Sequence, residues 1–155
     1  MTTTGDEIQI VTFRVGTQDF GLNVFQVERI LRYEAPSALP KAPDFLEGVV
    51  QFDGSVVPVV DLRKRLSLPA ERQEDTRLMV LDVDGQRVGV IVDQVLDVLR
   101  VDGGTVTAPP PIVRGLAAEY ISGLLAVGPR TVVILNAGRL LTSKERLALA
   151  KVGAA

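Results

Sequence analysis

Residues 15–27 read VGTQDFGLNVFQV, and residues 83–95 read VDGQRVGVIVDQV. Shifted by 68 positions, Val15, Gln18, Gly21, Val24, Gln26 and Val27 fall on Val83, Gln86, Gly89, Val92, Gln94 and Val95. That is six identities in thirteen residues, where chance gives about one. Downstream the offset becomes 75: Asp44-Phe45-Leu46-Glu47-Gly48 matches Glu119-Tyr120-Ile121-Ser122-Gly123 in type, and Gly48 to Asp61 spans the same thirteen steps as Gly123 to Asn136. The seven-residue difference lies between Val98 and Glu119, where Gly103-Gly104 and Pro109-Pro110-Pro111 punctuate a longer loop. The repeat predicts two similar units of about sixty residues, each marginal alone, that share an apolar interface. A cleft between them is the natural place for a partner.

The units read as β. Twenty-four residues are Val, a β-branched type that fits a half-buried sheet surface better than a helix. Val11, Phe13 and Val15 alternate with polar residues, as do Phe20, Leu22 and Val24 beyond Gly16-Thr17-Gln18-Asp19, so this stretch predicts a hairpin. Asp53-Gly54 and Asp84-Gly85 each separate two apolar runs, and Asp-Gly supplies the positive φ angles of a tight hairpin. Helices are predicted to be short. Pro43 followed by Asp44-Phe45-Leu46-Glu47-Gly48 has the punctuation of one helical turn, and Thr142-Ser143-Lys144-Glu145 opens a helix through about Lys151. Between Val24 and Arg32 two readings stand: a helical stripe capped by Asn23 and Gln26, or a strand.

Composition removes most chemistry. The chain has 155 residues, 46% of them apolar, 23% charged and a net charge of −2, the balance of one folded domain with no field to attract nucleic acid or an anionic membrane. It has no Cys and no His, which excludes disulfides, thiol nucleophiles and the usual neutral-pH base, and removes the commonest metal ligands. No metal, cofactor or catalytic residue is predicted. Met1 to Glu7 lack the basic start and apolar run of a secretory signal, so a cytoplasmic protein with a frayed N-terminus over residues 1–7 is expected. Thirteen Arg against four Lys invites a nucleic-acid reading, yet the few aromatics fall mostly in alternating core positions. Arg63-Lys64-Arg65 reads as a solvated strand end. Asp61 and Asp93 close Val-rich strands, with nothing in the sequence to make them converge as an acid and base.

Phe13-Arg14-Val15-Gly16, Phe20-Gly21-Leu22 with Val27-Glu28-Arg29-Ile30, Pro43 to Val50, Val57-Pro58-Val59-Val60-Asp61-Leu62-Arg63, Gly89 to Val95, and Tyr120-Ile121-Ser122-Gly123 together resemble the CheW-like family of chemotaxis adaptors. The motifs stand in family order from about Gln9 to about Leu147. The resemblance implies an all-β fold with a few short helices: two small five-stranded β-barrels about a shared hydrophobic core, plus a C-terminal helix. It places a single domain at residues 8–147, with repeats at about 11–62 and 79–137, and a tail at 148–155. It implies a non-catalytic adaptor in chemoreceptor arrays, coupling receptor signalling tips to the regulatory domain of a CheA-type histidine kinase. Other CheW-like domains are implied as partners in rings; direct membrane insertion is not.

By the same resemblance Val24, Val27, Arg29 and Asp53 fall at receptor-binding positions, and Leu39, Pro40 and Ile112 are candidates for kinase or ring contacts. The family commonly carries an acid where Arg29 stands and a base where Asp53 stands. The charges are exchanged here, so an Arg29–Asp53 pair of reversed polarity is expected, unless Arg29 is merely solvated and Asp53 merely a turn residue. Val24 and Val27 read equally as groove or core, given their repeat partners Val92 and Val95. The departure also fits a paralogue that has lost one binding function and serves as an array spacer or a dedicated adaptor for pilus or gliding signalling. A small-barrel nucleic-acid binder is the remote alternative.

Overall fold

A computed structural model describes residues 7–65, 73–108, 120–142, 145 and 148. Its ten strands are β1 (Glu7–Val15), β2 (Gln18–Asn23), β3 (Val27–Arg32), β4 (Leu46–Phe52), β5 (Ser55–Asp61), β6 (Arg77–Val83), β7 (Gln86–Val92), β8 (Gln94–Asp102), β9 (Ile121–Val127) and β10 (Arg130–Leu135). One helical turn, α1 (Leu62–Arg65), follows β5. Glu7, expected to fray, pairs with Asp102 as the first residue of β1.

The strands form two five-stranded sheets of equivalent order, β8-β1-β2-β10-β9 and β3-β6-β7-β5-β4. The repeat therefore does not coincide with the sheet. Each repeat gives two strands to one sheet and three to the other, an exchange that local periodicity does not encode. The equivalence holds residue for residue: β10 runs parallel to β2 with Ile134 opposite Gly21, and β5 runs parallel to β7 with Val59 opposite Gly89. In each sheet one isolated bridge ties the chain beyond one edge strand to the opposite edge strand, Ser37 to Val49 of β4 and Thr107 to Leu124 of β9.

The turns follow their chemistry. Asp53 and Gly54 have φ of 51° and 76°, and Asp84 and Gly85 have 53° and 84°, as a two-residue hairpin matched to strand twist requires. The Asp44–Gly48 segment is not helical. Leu46 N–H donates to Pro43 O at 3.0 Å, closing a β-turn, and β4 starts at once with a bulge between Leu46 and Gly48. Gly48 has φ of +151°, and a Cβ there would collide with the Ser37 backbone. The glycine serves that bridge, not a helix stop. Val24–Gln26 form one 3-10 turn before β3, with Asn23 Oδ1 accepting from Phe25 N–H at 2.9 Å, so the strand reading holds from Val27 onward. At the C-terminal end Thr142 and Glu145 make the reciprocal bonds of a capping box. Glu145 and Ala148 are helical; the rest of the expected helix lies outside the described residues.

Alternation along the inner strands sends side chains to two different cores. Val11, Phe13, Met79, Leu81, Val90 and Val133 belong to a large cluster between the sheets. Their neighbours Leu78, Val80 and Ile91 fill the second sheet's own interior, and Ile10, Leu125 and Val132 that of the first. The repeated glycines sit in these small interiors: a Cβ on Gly21 would come 2.5 Å from Ile10 Cγ2, and one on Gly89 3.3 Å from Leu78 and Val59. Space, rather than backbone freedom, requires Gly21, and at Gly89 it leaves a Cβ tight by a few tenths of an ångström.

Candidate functional site

The charged groups gather at the turn ends of the two sheets. In the second sheet β7 lies between β6 and β5, so Arg87, near its start, reaches the far ends of both flanking strand pairs. Its guanidinium meets Glu28 through Nε at 3.0 Å and Nη2 at 2.7 Å, Ser55 Oγ at 2.9 Å, and Asp53 at 3.3 Å. The hydrogen bonds to Glu28 raise the Arg87 pKa from its ordinary value, with the charges of Glu28 and Asp53 adding to the effect. Arg29 and Arg87 both lie over the Phe52 ring, at 5.5 and 5.3 Å from its centroid.

The expected direct Arg29–Asp53 pair is not formed. Asp53 is taken by Arg87, and Arg29 has no carboxylate partner among the described residues. Sequence reasoning missed Arg87 because its partners are 59 and 34 positions away. A signal was present nonetheless: Arg87 stands in the repeat where Asp19 stands. In the first sheet Asp19 occupies the equivalent place with inverted charge, held by Arg14 at 3.0 Å and Arg130 at 3.1 Å.

Val24 and Val27 are half-buried and pack on the central cluster. Val24 opens the 3-10 turn and Val27 opens β3 directly after it, both against that cluster, while Phe25 between them is 85% exposed. Leu39 is half-buried against the same cluster, Pro40 is exposed, and Ile112 lies outside the described residues.

A second charged cluster is interior. Arg63, expected to be solvated, is 4% exposed. It bonds Asp61 through Nε and Nη2, both at 3.0 Å, and Asp93 through Nη1 at 3.3 Å. Asp61 and Asp93 thus do converge, on a guanidinium, and the motif ties the sheets together because Asp93 Oδ2 also accepts from Gly16 N–H at 2.7 Å in the β1–β2 turn. Burial acts to lower the Arg63 pKa, and the bonds and charges of Asp61 and Asp93 outweigh it and raise it. Both acids are committed to this pairing. Lys64 pairs with Glu47 and Arg65 with Glu145, so the whole basic run is engaged. Among the described residues no group of three or more Asp, Glu, His or Cys could hold a metal, and no helix is long and apolar enough to cross a membrane.

Fold and surface together define a two-sheet β protein whose surface carries charged clusters and a few exposed apolar side chains. The sequence matches the CheW-like domain over residues 9–145, and the chain belongs to that family. It is 29% identical to the chemotaxis protein CheW of Treponema pallidum, over 98% of this chain and 92% of that one. Against CheW of Klebsiella aerogenes identity is 32%, over 92% of this chain and 86% of the relative. The protein FrzA of Myxococcus xanthus is also 32% identical, over 94% and 92%. The crystal structure of the scaffolding protein TtCheW from Thermoanaerobacter tengcongensis superposes with a TM-score of 0.80 at 28% identity, covering 90% of this chain and 92% of that one. The chain is accordingly a chemotaxis adaptor of CheW type.

Proposed function

We propose that this adaptor is non-catalytic and couples a chemoreceptor's cytoplasmic tip to the regulatory domain of a CheA-type histidine kinase within a chemoreceptor array. The observation that carries the reading is the family match across nearly the whole chain, joined to a crystal structure whose protein is described as scaffolding. The receptor face comprises Val24, Val27, Arg29 and Asp53. Kinase or ring contacts fall to Leu39, Pro40 and Ile112, and like domains join end to end through quasi-equivalent surfaces. An adaptor needs two binding faces and no reactive group, which suits a chain without His or Cys.

The test is a calorimetric titration of the full chain against the kinase regulatory domain and a receptor-tip fragment encoded beside it. Saturable binding to both, without turnover, is expected. Capture of Asp53 by Arg87 favours a second reading, a paralogue specialised as spacer or dedicated adaptor. Binding to the kinase domain alone would select it, and binding to neither partner would overturn both readings.

A further inference from the structure

Arg32, the last residue of β3, stands directly opposite Arg77, the first of β6, and two cations in direct cross-strand register repel. Both line a cavity of about 550 Å³, with Gln73, Glu74, Asp75 and Thr76 also on its wall, a size that takes a small organic ligand. Arg32 is exposed and makes no hydrogen bond or ion pair among the described residues. Arg77 is half-buried and anchored by one nitrogen: Nη1 donates to Glu74 O at 3.1 Å and to Thr76 O at 3.0 Å. Its Nε and Nη2, the parallel donors that grip an oxyanion, have no acceptor among the described residues. Thr76 is 1% exposed, and its Oγ1 accepts from Gln73 N–H at 2.8 Å. Among the described residues the Thr76 hydroxyl donates to nothing. Glu74 and Asp75 are exposed and form no ion pair with either arginine.

We infer that this cavity binds a phosphate group, free or carried on a small molecule, clamped between the guanidiniums of Arg32 and Arg77 with the Thr76 hydroxyl as a third donor. An oxyanion there turns a repulsive pair into a bridged one, and Arg77, already held by two carbonyls, loses little freedom on binding. The two acids limit the ligand. They repel negative charge spread along a chain, which disfavours a nucleic-acid backbone, and they admit a compact oxyanion confined to the arginine end. The cavity is larger than a phosphate ion, which leaves room for an organic remainder. The inference stands apart from the coupling reading, because none of the described residues assigned to receptor, kinase or ring contact is on the cavity wall.

The experiment titrates the full chain by calorimetry with inorganic phosphate and with a sugar monophosphate, at an ionic strength held constant with chloride. It also follows the thermal midpoints of the parent and Arg32→Gln in the same buffers. Saturable binding of at least one probe is expected. Its affinity should fall about tenfold or more in Arg32→Gln and in Arg77→Lys, which keeps the charge and loses the fork, and should rise in Glu74→Gln. Arg32→Gln is expected to melt no lower than the parent in chloride, where the repulsion is relieved, and below it in saturating ligand, a reversal that a structural role for Arg32 does not produce. Tighter binding of the sugar phosphate assigns the rest of the cavity to the organic part, and tighter binding of phosphate assigns the ion alone. Binding of neither probe, a midpoint shift that chloride reproduces, or parent-like affinity in both arginine variants overturns the inference.

Discussion

Asp19 in the first sheet and Arg87 in the second hold the same place beside equivalent strands, yet one is an acid between two arginines and the other an arginine between two acids. The glycines next to them have not diverged: a Cβ on Gly21 would meet Ile10 at 2.5 Å, and one on Gly89 would press on Leu78 and Val59 at 3.3 Å. The contrast separates two kinds of constraint. Interior volume is fixed by packing in both halves, while the sign of the charged cluster differs between them, around a buried acid in one and a part-exposed arginine in the other. The Arg63 corner and its open counterpart extend the same lesson to a buried position: there the repeat puts Asn136 for Asp61, Gly138 for Arg63 and Phe25 for Asp93, and Asn136 Oδ1 still accepts from Gly138 N–H at 3.0 Å.

The hardest way to break the comparison is Arg63→Met, which strands two buried carboxylates. A loss of about 3–5 kcal/mol is expected, read by denaturant unfolding, with Asp61→Asn costing less because Asn136 proves that the backbone bond survives that change. Next come the two bridge glycines. Gly48→Ala is expected to cost about 2–3 kcal/mol, through a φ of +151° and collision with the Ser37 backbone. Gly123→Ala should cost less, since its closest neighbour at 2.5 Å is the side chain of Val106; equal losses would contradict the assignment of strain to Gly48.

The comparison is sharpened by building the missing lock. Gly138 has room for a Cβ, whose nearest approach is 3.4 Å to Asn136 Oδ1, so Gly138→Arg with Phe25→Asp is expected to fold and to bind the receptor fragment poorly. Circular dichroism and the titration above check the two halves of that statement. The smallest expected effect is that of pH on the capping box. Burial acts to raise the Glu145 pKa, but the Thr142 N–H and Arg65 overcome it and hold it below its usual 4.5. A carboxyl lowered on folding stabilises above its unfolded value, and that contribution is lost as pH falls through the folded one. Glu145→Gln should therefore flatten the acid limb of the stability profile below about pH 4.5 and leave the neutral Tm lower.

Much of the fold is legible in the sequence because its signals are local. Asp53-Gly54 and Asp84-Gly85 announce hairpins through backbone chemistry, and Gly21 and Gly89 announce the repeat. The rest depends on distant residues. Leu46 to Gly48 carry helix punctuation, but the Ser37 bridge draws them into β4. Arg63 looks solvated until Asp93, thirty positions away, is placed beside it. Arg29 and Asp53 are legible as charged positions, and the partner of Asp53 is not, since Arg87 enters only when β7 is laid between β6 and β5. No alternation pattern records which sheet a strand will join.

That strand order has a consequence for how the chain is made. The second sheet is built from β3 to β7, one uninterrupted segment, whereas the first waits with β1 and β2 until β8, β9 and β10 arrive. As the ribosome releases the chain, the second sheet has all its strands while the first has only a lone hairpin, too small to stand by itself. A chain released this far offers β1 and β2 a neighbour with all its strands to dock on through the central cluster, and leaves two edges open, that of β1 until β8 arrives and that of β2 until β10 does. A ribosome stalled before β8 would leave both edges bare, a state exposed to aggregation and to chaperones.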